Sequence, residues 1–128
     1  MEDKKEYVQI LVSTLEKQNE VLQQIMKITE RQAEIAGREP FDEQMLNDTL
    51  DQKEMLIARL NQLDDGFATV FGRVRTEINE NRDYYAEQLR RIQELIRKST
   101  DIGNALRVLE QRNYDRLVGC FAGKKREY

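Results

Sequence analysis

Apolar residues return along this chain at alternating spacings of three and four, in three long runs. The first is Tyr7, Leu11, Leu15, Gln18, Leu22, Ile25, Thr29, Gln32 and Ile35, one stripe on one face of a helix predicted over residues 3–36. Asp3 can cap its start, and Glu6 three residues later completes a capping box. Gly37 stands where a left-handed residue commonly ends a helix, and Pro40 follows as a stop.

A second run begins at once. Asp42 is an N-cap, with Phe41 and Leu46 placed to form a hydrophobic staple. Its middle holds Asp64, Asp65 and Gly66, the usual letters of a turn. Yet Leu46, Lys53, Leu60, Phe67 and Val74 recur every seven residues straight through them. A turn would have to preserve that phase by coincidence, whereas a continuous helix preserves it automatically, so one helix is expected over 42–79. It absorbs a cost of about 1 kcal/mol for a mid-helix glycine.

The third run is Tyr85, Leu89, Ile92, Ile96, Ser99, Gly103, Leu106, Leu109, Asn113, Leu117 and Cys120. It follows Asn81, a candidate cap, and predicts a helix over 82–122, ended by Gly123 and followed by a charged tail over 123–128. The stretch 99–104, "STDIGN", has N-cap chemistry of its own, so a break near 100 is the alternative. The expectation is therefore all-α: a single domain over 1–128, built as an elongated antiparallel bundle of three long helices with coiled-coil-like packing, or four if the third is broken.

Composition sharpens this picture. Charged residues are 35% of the 128, aromatics 7%, with one proline, which suits narrow apolar seams between solvated faces. The formal net charge is −3, so no global field recruits nucleic acid or an acidic membrane. The distribution is uneven: residues 41–78 carry 4 basic and 8 acidic groups, and 79–128 carry 11 and 8. The first residues, "MEDKKEY", have no apolar h-region and no apolar run approaches membrane-spanning length. With Cys120 as the single cysteine, a cytoplasmic protein without a disulfide is expected.

Candidate chemistry is sparse. There is no histidine, and no phosphate loop, cysteine pair or serine elbow is present. Adjacent carboxylates such as Asp64/Asp65 and Asp42/Glu43 diverge by about 100° on a helix and cannot share a substrate. No catalytic residue, metal site or cofactor is expected. Cys120 reads as a small buried hydrophobe, and the basic residues of "KKREY" as partners of a helix C-terminus. Gln18, Gln32, Lys53 and Asn113 interrupt the apolar seams, where polar side chains fix register.

The segment from Leu106 to Phe121, "LRVLEQRNYDRLVGCF", departs from a single stripe. Leu109, Asn113, Leu117 and Cys120 lie within about 60° of Leu106, whereas Tyr114, Val118 and Phe121 lie at about +80°, +120° and +60°. That arc is wider than a two-helix seam covers. Either it is buried among three or more helices, or part of it receives a partner helix. On the second alternative the partner-binding residues are Leu106, Leu109, Tyr114, Leu117, Val118 and Phe121, with Arg107, Arg112 and Arg116 free to flank an acidic helix.

The long first helix "LVSTLEKQNEVLQQIMKITERQAEI", the pattern "LDQKEMLIARLNQLDDGF" and the late "LEQRNYDRLVGCF" together resemble the FlgN family of flagellar type III export chaperones, over about residues 5–121. The resemblance implies a small cytoplasmic helical protein that binds the C-terminal regions of hook–filament junction subunits, prevents their premature association and escorts them to the export gate. It implies binding without catalysis. A chaperone for another secreted subunit, or a structural coiled-coil adaptor that forms a homo-oligomer, are the alternatives.

Overall fold

The computed structural model describes residues 4–38, 40 and 42–126, with side chains through Gly119, and over them the chain is three helices without a strand. These are α1 (Lys5–Ala36), α2 (Glu43–Glu80) and α3 (Ala86–Arg126). At about 1.5 Å per residue their 32, 38 and 41 residues make rods of about 48, 57 and 62 Å. Asp64, Asp65 and Gly66 lie inside α2, and 99–104 inside α3, both without interruption.

The helix ends show which local signals acted. Asp42 caps α2, its side chain accepting from the Met45 amide at 3.0 Å. Gly37 ends α1 without the left-handed conformation expected: its φ is −88°, and its amide is shared between the carbonyls of Ala33 and Glu34, each at 3.2 Å. The last turn tightens instead of reversing hand. Asn81 belongs to the end of α2, where its side chain donates to the Glu77 carbonyl at 2.9 Å, and residues 82–85 form a turn, so α3 starts later than 82. It also passes Gly123 and continues through lysines and arginine that suit a helix C-terminus. The proposed cap at Asp3, the Phe41 staple, and the side chains of Cys120 and Phe121 lie outside the described residues.

α1 is the central strut. It packs against both α2 and α3, whereas among the described residues α2 and α3 nowhere bring Cα atoms within 8 Å. With Leu11 as heptad position a, two sectors of α1 are buried. One holds positions a and d, among them Gln18, Val21, Ile25 and Ile35; the other holds e and b, among them Val8, Leu15, Asn19 and Thr29. The first sector bonds to α2 and the second to α3. Their centres are about 100° apart at 3.5 residues per turn. That is near the right angle at the corner of a square four-helix bundle and well above the 60° of a triangle. The three helices therefore occupy three corners of a square, with α1 opposite the empty one.

The two ends of the bundle are packed differently. At the end where α1 begins, Val8, Leu11, Val12, Leu15, Val74, Ile78, Tyr85, Ile92 and Leu95 form one dry cluster. Val8 is wholly buried there, whereas Tyr7, expected on the seam, is 39% exposed, because facing two neighbours turns α1 toward its e and b positions. Tyr85 closes this end, its hydroxyl accepting from the Lys4 amide at 3.1 Å and donating to Glu77 Oε1 at 3.4 Å. At the far end, Ile25, Ile35 and Leu46 share the interior with buried Thr29, Gln32, Thr49, Lys53 and Asn113.

Candidate functional site

The four polar residues that interrupt the seams are all buried, and each bonds to another helix. Gln18 Nε2 donates to Asp64 Oδ1 at 2.5 Å and Gln32 Nε2 to Thr49 Oγ1 at 3.3 Å. Lys53 Nζ donates to Gln32 Oε1 at 2.9 Å and pairs with Glu110 of α3 at 2.5 Å. Asn113 Nδ2 donates to the backbone carbonyl of Thr29 at 2.9 Å. These bonds set α1 antiparallel to α2 and parallel to α3, and a one-residue slip would strand all of them. Asn113 Oδ1 has no hydrogen-bond partner although it is buried.

Over this polar floor lies a groove of about 310 Å³, lined by Gln32, Leu46, Leu50, Lys53, Glu110, Asn113, Tyr114 and Leu117. Its floor comes from the end of α1, and its walls from the start of α2 and the late part of α3. Leu46, Leu50, Leu117 and the Tyr114 ring give it apolar sides. Here the late segment of α3 is neither wholly core nor wholly free. Leu106, Leu109 and Leu117 are half-buried, Val118 is 47% exposed and Tyr114 63%. Two of the six sequence-predicted residues, Tyr114 and Leu117, meet in the groove.

The α2 wall, Leu46 and Leu50, was not anticipated as part of a site. Its signal was present: Leu50, Ile57, Asp64, Phe71 and Ile78 repeat every seven residues, one step round from the Leu46 series. Lys53 opposite Glu110 fixes the antiparallel register of α2 against α3, so this stripe faces one on α3 made of Leu89, Ile96, Gly103, Glu110 and Leu117. Ile78 is buried in the dry end, but Leu50, Ile57, Phe71 and Ile96 remain 38–48% exposed. Phe71 stacks on Phe67 at 5.9 Å, extending an aromatic surface along α2. Asp64, the one acid in the α2 stripe, is turned down to Gln18.

Beside the stripes, the next positions outward are Asn47, Glu54, Asn61, Ala68 and Arg75 on α2, and Gln93, Thr100, Arg107 and Tyr114 on α3, all exposed. A second groove, about 440 Å³, opens between α1 and α3 on the other side, lined by Gln23, Met26, Lys27, Glu30, Asp101, Ile102 and Ala105. Its mouth carries two acids and a lysine. Among the described residues no three His, Cys, Asp or Glu side chains gather as a metal site, and no helix is long and apolar enough to cross a membrane.

What these features define, among the described residues, is an all-α bundle of three helices with two open grooves. Comparison with protein-family models, characterised proteins and solved structures finds no match to this chain.

Proposed function

We propose that this protein is a cytoplasmic export chaperone that holds the C-terminal helical region of flagellar hook–filament junction subunits and delivers them to the export apparatus. It acts by binding alone, without catalysis, cofactor, nucleic acid or membrane insertion. The observation that carries the reading is the open apolar groove formed by Leu46, Leu50, Tyr114 and Leu117, in a molecule whose opposite end is densely packed. The sequence resemblance supplies the client class.

In this reading the polar floor fixes the geometry of the three helices, while the apolar walls take side chains from one face of a client helix. Arg107, Arg112 and Arg116 are exposed on the same stretch of α3 and supply positive charge beside it. Tyr114 offers a large face with a polar tip, suited to a surface that is wet when empty and covered when occupied.

The test is the double variant Tyr114→Ser, Val118→Ser, assayed for binding to purified C-terminal fragments of junction subunits. Both side chains are largely exposed, so helical content should hold within error while binding falls at least tenfold. A folded variant that binds normally would remove the site. Failure of the unaltered protein to bind any junction fragment would remove the function. A homo-oligomeric adaptor would instead sediment as a multimer that the same substitutions dissociate.

A further inference from the structure

We propose that α3 hinges within residues 100–104, so that its distal part swings off α1 and α2 as one helical arm while its first part stays packed. The motion needs no partner and stands apart from the helix-binding reading above. Its effect is to widen and narrow the groove, because Tyr114 and Leu117 ride on the arm.

Burial changes abruptly along α3. Ile92 and Leu95 belong to the dry cluster, and Asn19 Nδ2 ties this part of α3 to α1 through the Leu95 carbonyl at 3.1 Å and Ser99 Oγ at 2.7 Å. Beyond Ser99, Asn113 is the one buried side chain among the described residues. Ile102, Leu106, Leu109 and Leu117 are half-buried, and Val108, Tyr114 and Val118 are 47–63% exposed. Both grooves border this part of α3, one at Asp101, Ile102 and Ala105 and the other at Glu110, Asn113, Tyr114 and Leu117. A segment with open volume on two sides and few buried apolar contacts opens at lower free energy than the core it extends.

The bonds that hold the arm are also ones that water replaces readily. Glu110, bonded to Lys53, has a side chain 46% exposed. Asn113 donates to the Thr29 carbonyl but leaves its own Oδ1 buried without a partner. Release hydrates that oxygen, which offsets part of the bond given up.

The hinge is placed by residue type. Thr100, Asp101, Gly103 and Asn104 are four weak helix formers within five positions. Thr100 Oγ1 also bonds back to the Ile96 carbonyl at 2.9 Å, an arrangement that bends helices. When the backbone ladder opens here, Asp101 can cap the arm by accepting from the freed amide of Gly103 or Asn104. The arm then keeps its own side-chain pairs, Arg107 with Asn104 and Gln111 with Asp115. The same few residues therefore serve a continuous helix and a hinged one, which is what a two-state element requires.

The test places nitroxide labels on the full chain in a Cys120→Ser background and reads label-to-label distances by pulsed electron resonance. The near pair is Lys17→Cys, Glu94→Cys and the distal pair Arg31→Cys, Arg112→Cys, all at exposed positions. The near pair should give one distance and the distal pair two. Gly103→Ala, Asn104→Ala strengthens the helix at the hinge without a clash, since a Cβ at Gly103 meets nothing within 4 Å, and should shrink the longer distal population at least threefold. Glu110→Gln should enlarge it at least threefold with helical content unchanged by circular dichroism. A single distal distance, two distances at the near pair, or a longer population that ignores Gly103→Ala, Asn104→Ala overturns the proposal. So does loss of helical content with Glu110→Gln, which would mean that the arm unwinds rather than swings. No junction fragment enters these measurements, so failure of the chaperone reading leaves their outcome untouched.

Discussion

Replacing Gly66 and Gly72 by alanine tests the continuity of α2 and the character of its outer face together. Both glycines lie within the helix, both are exposed, and a Cβ built at either meets no atom within 4 Å. Neither has the positive φ that would strain an L side chain. The change therefore adds no clash and removes the entropy that glycine contributes to the unfolded chain, about 0.5–1 kcal/mol at each site. The two sites are six residues apart, about 9 Å along the helix, and share no partner, so the effects should add to about 1–2 kcal/mol. For a chain of this size that corresponds to a rise in Tm of about 3–10 °C. Urea unfolding followed by circular dichroism should show a higher midpoint with an unchanged slope, since the surface exposed on unfolding is the same. A lower midpoint would mean that α2 bends or receives a neighbour at these positions, and would refute its description as one exposed, uninterrupted helical face.

Lys53 and Glu110 should respond unequally despite forming one ion pair. Lys53→Ala leaves Gln32 Oε1 buried without its donor and should cost about 2 kcal/mol in a denaturant melt, whereas Glu110→Gln, at a side chain 46% exposed, should cost less than about 1 kcal/mol. Tyr85→Phe removes a hydroxyl that joins the Lys4 amide to Glu77 while keeping the ring in the dry cluster. It should lower stability by about 1 kcal/mol, and a loss as large as that of Tyr85→Ala would show that the hydroxyl is worth more than its two bonds.

The three helices were legible because heptad phase is a property of the chain alone. Leu46 to Val74 kept its spacing through Asp64–Gly66, and the helix kept going. The buried polar residues were legible for the same reason: Gln18, Gln32, Lys53 and Asn113 stood at positions of apolar phase. Helix ends were less so, since Gly37 and Asn81 have several ways to satisfy the last carbonyls, and neighbouring chain decides among them. The open corner could not be read at all from the period. An apolar stripe announces that a helix is covered, but the angle between its two neighbours depends on how far α2 and α3 stand apart. Tyr7 and Val8 exchange roles on that angle, and so do Leu50 and Ile57, which a closed triangle would have buried.

The position of α1 as the helix against which both others pack their backbones has a consequence in time. Its bonds to α2 span 17 residues at Gln32–Thr49 and 46 at Gln18–Asp64, whereas the bond from Asn113 to Thr29 spans 84. On a ribosome adding about 5–20 residues per second, the α3-facing side of α1 waits about 4–17 s for its covering helix to be made. Through that interval the nascent chain is a two-helix hairpin with Val8, Val12 and Leu15 on a bare flank, and the last third of the message determines when that flank is withdrawn from water.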